Sequence, residues 1–69
     1  MKAEEVVLVA ATGAGVGAVA RKVGITTGNV LYDVILGGAI AFVGWYTDYD
    51  GISDFVEGFG IGFALDAAL

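Results

Sequence analysis

Small residues recur four positions apart in every apolar run of this chain: Gly13 with Gly17, Gly37 with Ala41, and Gly58 with Gly62. Ala14 with Ala18, Gly60 with Ala64, and Ala64 with Ala68 repeat the spacing. On an α-helix, residues four apart share one face. Each pair therefore predicts a strip where another backbone can come close. The constraint is strong because an interior glycine weakens a helix by roughly 1 kcal/mol relative to alanine. Close packing has to offset that loss. The same glycines argue against strands, which they weaken, and strict apolar–polar alternation is absent.

One competing reading uses the same residues. Gly13, Gly15 and Ala18 fit the relaxed Gly-x-Gly-x-x-Ala form of a dinucleotide fingerprint, with residues 6–9 as its strand and Asp33 twenty positions after Gly13. Such a site needs several parallel strands covered by helices, at about thirty residues per βαβ unit. A chain of 69 residues has no room for two such halves. With neither Cys nor His, a structural zinc site, a disulfide and a His-based triad are excluded. The carboxylates do not follow the spacing of a calcium loop. The expectation is a structural protein with no catalytic residue, no cofactor and no metal site.

The runs place three helices at about residues 4–22, 30–46 and 52–68, in a single domain spanning 1–69. Glu4 and Glu5 open the first and Arg21-Lys22 close it, as the helix dipole favours. Lys22-Val23-Gly24 reads as a stop, and Thr27 or Asn29 as the cap of the second helix. Residues 30–46 contain one charge, Asp33, an accessible first-turn acid or a partner for Arg21 or Lys22 of a neighbouring subunit. Ser53 is the expected cap of the third helix. Neither of the first two runs is an uninterrupted apolar span of eighteen residues, and the start shows no signal-peptide pattern. The expected fold is all-α: a small glycine-rich helical hairpin from the first two runs, with a third C-terminal helix, packed in a helical assembly.

Composition supplies the reason for an assembly. Hydrophobic residues are 58% of the chain, and the mean hydropathy is +0.86. So small a domain has a high ratio of surface to volume, so its apolar excess must be covered by lipid or by other subunits. The formal net charge of −5 does not favour DNA in general. The basic residues are nonetheless local: Lys2, and the adjacent pair Arg21 and Lys22. In a hairpin that pair lies at one end and Asp48-Tyr49-Asp50 at the other. Repeated around a tube, it makes a basic lining for DNA phosphate or anionic headgroups. Trp45, Tyr46 and Tyr49 form an aromatic rim, against lipid or between subunits. Asp48, Asp50, Asp54 and Glu57 read as a solvated acidic rim.

This build resembles the tiny, very hydrophobic helical coat proteins of rod-shaped or spindle-shaped archaeal viruses. The resemblance implies a virion major coat protein: many copies of the chain forming a wall, with Arg21, Lys22 and Lys2 against double-stranded DNA in the lumen. The chain is also similar in outline to conjugative pilins. That likeness implies a hollow cell-surface pilus with anionic phospholipid against Arg21 and Lys22. A small integral membrane protein is the third reading.

Overall fold

A computed structural model describes residues 2–69. The protein is all-α, with α1 at Ala3–Lys22, α2 at Val30–Tyr46 and α3 at Ile52–Ala68, and no strand among the described residues.

Local chemistry sets each boundary. Past α1, the Gly24 N–H donates to the Arg21 carbonyl at 3.1 Å and the Ile25 N–H to the Ala20 carbonyl at 3.0 Å. This is a Schellman closure, and it needs the left-handed φ of 107° that Gly24 supplies. Asn29 caps α2: its side chain accepts from the Tyr32 N–H at 3.2 Å. Ser53 does not cap α3. The cap position is Gly51, with φ 79° and no side-chain bond, and Ser53 lies inside the first turn.

The central helix is α3. It packs against both α1 and α2, which have no Cα pair within 8 Å of each other. The expected hairpin of the first two runs is therefore not a packed pair. Its two arms run in opposite directions, with α3 between them. Gly13 meets the backbone of Phe55 and Phe59, and Gly17 that of Phe59 and Phe63, so α1 and α3 run parallel. Gly37 meets Gly60 and Ala64, and Gly44 meets Ser53 and Glu57, so α2 is antiparallel to α3.

The helices touch backbone to backbone. A Cβ on Gly13 would lie 2.2 Å from the Phe55 carbonyl oxygen, and one on Gly62 would lie 1.9 Å from that of Ala14. Corresponding distances are 2.1 Å at Gly17, 2.0 Å at Gly58, 2.3 Å at Gly60, 2.4 Å at Gly44 and 2.6 Å at Gly37. No side chain fits at any of these seven positions. Ala41 takes part through its backbone N, the nearest atom to Gly60. Few large side chains are buried; the main one is Phe63, which stacks on Phe59 at a centroid distance of 6.3 Å. By contrast, twenty large apolar side chains among the described residues are exposed.

Gly62→Ala should therefore lower the unfolding free energy by about 2 kcal/mol, within the range for overpacking. Gly15→Ala, at a helical site with nothing within 4 Å, should raise it by roughly 0.5–1 kcal/mol. Chemical denaturation in mild detergent, followed by circular dichroism, measures both; effects of equal sign would contradict the backbone-contact account.

Candidate functional site

Most of the polar side-chain chemistry is gathered where α1 and α3 end and α2 begins. Asp33, in the first turn of α2, is fully buried. Four donors face its carboxylate. Arg21 Nε lies 3.0 Å from Oδ2, the Thr27 N–H donates to Oδ1 at 2.8 Å and Thr27 Oγ1 to Oδ1 at 2.6 Å. The Thr26 hydroxyl supplies the fourth. Arg21 reaches on to α3, with Nη1 3.3 Å from Asp66 Oδ2, and Lys22 also pairs with Asp66. One guanidinium thus ties α1 to both other helices.

The dipoles favour the arrangement. Arg21 and Lys22 stand at the C-terminus of α1, beside the C-terminus of the parallel α3, where cations are stabilised. Asp33 stands at the N-terminus of α2, where an anion is stabilised. No buried side-chain nitrogen or oxygen among the described residues lacks a partner, which a buried charge requires.

This geometry revises the roles expected of the basic residues. Arg21 and Lys22 are both ion-paired within the chain, Arg21 mostly buried and Lys22 largely exposed. Lys2 is exposed at the other end of α1, a helix length of about 30 Å away. The three basic side chains therefore form no common patch. Asp33 is not an accessible first-turn acid, and its partner Arg21 belongs to the same chain rather than to a neighbour.

Arg21 and Lys22 balance Asp33 and Asp66, so the formal net charge of −5 resides wholly toward the opposite end. That end carries Lys2, Glu4 and Glu5 of the α1 start, Asp48 and Asp50 of the α2–α3 turn, and Asp54 and Glu57 of early α3. Trp45, Tyr46 and Tyr49 lie there too, all exposed, with Phe42 packed beside Trp45 at 5.8 Å and Tyr46 at 6.2 Å between ring centroids. Between the two ends, residues 6–20 of α1, 34–46 of α2 and 58–65 of α3 carry no charge.

The glycine positions singled out in the sequence converge on α3: Gly13 and Gly17 from α1, Gly37 and Ala41 from α2, against Gly58, Gly60 and Gly62. Thr26 and Asp66, which complete the ion cluster with Thr27, carried no such signal, because a hydroxyl or acid near a helix end is ordinarily solvated; Thr27, expected only as a possible cap, instead donates to Asp33. No group of His, Cys, Asp or Glu among the described residues is placed to hold a metal ion. No family model, curated protein or solved structure matches the chain.

Arg21→Gln leaves Asp33 buried with only neutral donors. It should lower the melting temperature clearly more than Lys22→Gln, whose ammonium is mostly in solvent. Thermal melts of the two variants side by side check the order, and equal losses would argue against Arg21 as the three-helix tie.

Proposed function

We propose that the chain is a structural subunit that works embedded in lipid, as a small three-helix integral membrane protein. The observation that carries this reading is the sorting of charge to the two helix ends, with an uncharged and exposed apolar belt between them. α1 is long and apolar enough to cross a membrane, with a mean hydropathy of 1.5 over its best window and only 17% of that window buried in the chain. Its 20 residues rise about 30 Å, the thickness of a bilayer's hydrocarbon core. The uncharged part of α1, residues 6–20, is shorter than eighteen residues, as expected from the sequence; the helix reaches spanning length together with the charged residues at its ends. Trp45, Tyr46 and Tyr49 at the edge of the belt suit the headgroup boundary, where amphipathic rings are favoured. Glycine-lined helix contacts suit lipid as well, where packing replaces the hydrophobic drive between helices.

Lipid is supported over nucleic acid as the surroundings because Arg21 and Lys22 are already neutralised by Asp33 and Asp66. A lipid-containing virion or a pilus offers a place for such a unit. Direct enclosure of double-stranded DNA would rest on Lys2 and on whatever Lys22 has left to give.

The expected behaviour is retention in membranes through alkaline carbonate washing, with Trp45 fluorescence quenched by phospholipids brominated near the headgroup and little quenching from bromines at the chain ends. Release into the aqueous fraction, or salt-sensitive retention of double-stranded DNA by the purified protein, would overturn the reading.

A further inference from the structure

Ten of the twelve glycines have a reason inside the fold. Seven are positions where a Cβ would strike a neighbouring helix, and Gly24, Gly28 and Gly51 have positive φ in turns. Gly15 and Gly38 have neither. Both are inside helices, and a Cβ at either would meet nothing within 4 Å. Alanine is the better helix former at such sites, so the fold itself gives no ground for glycine at these two.

Their placement gives one. Gly15 is two residues from each of Gly13 and Gly17, which face α3. At about 100° per residue it points away from α3, to the outer edge of α1. Gly38 follows Gly37 by one residue, off the α3-facing line of α2. The helices α1 and α2 flank α3, so the two notches are on different helices of the three-helix layer. They also lie at one depth. Gly15 falls between Gly13 and Gly17, opposite Phe59, while Gly38 adjoins Gly37, opposite Gly60 and Ala64. The offset is about two residues of α3, on the order of 3 Å.

We propose that Gly15 of one copy and Gly38 of the next meet, so that α1 of each subunit packs against α2 of its neighbour. The pair runs antiparallel, as α2 and α3 already do within the chain, and repeats the same glycine-to-backbone contact. An open groove of about 930 Å³ runs along the flank of Gly15 between α1 and α3, lined by Ala14, Ala18, Gly62 and Leu65 and ending at Lys22 and Asp66; in the proposed contact it receives the neighbour's flanking side chains. Leu31, Ile35, Phe42 and Trp45 of α2 are exposed and large enough to enter it. A stable pair of standard size buries about 800 Å² of each partner, against 4527 Å² exposed over the whole chain. The contact is heterologous, and head-to-tail repetition of it gives rings or open arrays.

The inference rests on the lipid-embedded reading in one respect: a bilayer holds all copies at a common depth. The chain has no cysteine, so engineered thiols report without background. The double variant Gly15→Cys/Gly38→Cys, oxidised in native membranes, should give a ladder of cross-linked multimers. Each single-cysteine variant alone should give little product, and a mixture of the two should give dimers. Gly15→Leu and Gly38→Leu should each keep the helical circular dichroism of the parent and lose self-association by at least tenfold. Strong cross-linking of Gly15→Cys to itself would indicate an isologous pair and overturn the proposal. Absence of cross-links, with both leucine variants associating as the parent does, would mean lipid fills the notches and would also overturn it. Membrane retention without cross-linking defeats this inference and spares the proposed function, whereas cross-linking of a protein that washes out of membranes does the reverse.

Discussion

Everything in this structure depends on helices approaching until backbone meets backbone. Seven glycines make that approach, and a methyl group at any of them would sit closer than 3 Å to a neighbouring main chain. At such separations the stabilisation comes from many short-range dispersion contacts. Few large side chains are removed from solvent by it. The fold is therefore one whose interior is mostly main chain and whose bulky apolar groups point outward. In water this is a poor use of hydrophobic residues. In lipid it is an ordinary one, because outward-facing acyl contact is as apolar as the side chains themselves.

The ion cluster solves a problem that this packing creates. Because α1 and α2 do not touch along their lengths, glycine contacts fix each of them to α3 but not to each other. Arg21 closes the arrangement by holding Asp33 of α2 and Asp66 of α3 at once. The α1–α2 connection contributes through Thr26 and Thr27, so the turn is organised around the Asp33 carboxylate. A shift of α2 along α3 would break this set of bonds. The cluster is thus best understood as a register device, and a role for buried charge in fixing register has precedent in helical assemblies.

The three helices and their limits were legible in the sequence, because apolar runs, a Gly24 stop and an Asn29 cap are local signals. The arrangement of the helices was less so. Spacing of four shows that a helix has a close-approach face; it does not say which helix will meet it. One clue did exist. Only the third run carries two interleaved pairs that each begin with glycine, Gly58 with Gly62 and Gly60 with Ala64, offset by two residues. An offset of two is about 200° on a helix, so those pairs mark opposite faces, which suits a central helix. Asp33 misled for a different reason. An acid in a first turn is usually solvated, and its burial depends on Arg21, Thr26 and Thr27 converging in three dimensions, which no sequence period records.

The direction in which charge is sorted limits where partners sit. An amphipathic helix of a water-soluble bundle places charge along one side and apolar residues along the other. Here the separation runs from end to end, and the lateral surface is uncharged between Glu57 and Asp66 of α3 and along residues 6–20 of α1 and 34–46 of α2. Under the lipid-embedded proposal, acyl chains or further copies would therefore lie beside it rather than above or below. The ends are not equivalent. One is internally neutralised by the Arg21 cluster, while the other holds the entire formal charge of −5. Copies standing side by side would bring those acidic ends together, and their repulsion would be cut by salt, whose screening length is about 8 Å at physiological strength. If copies associate laterally as proposed, the glycine notches at mid-depth would not respond to salt, whereas the acidic ends at one surface would.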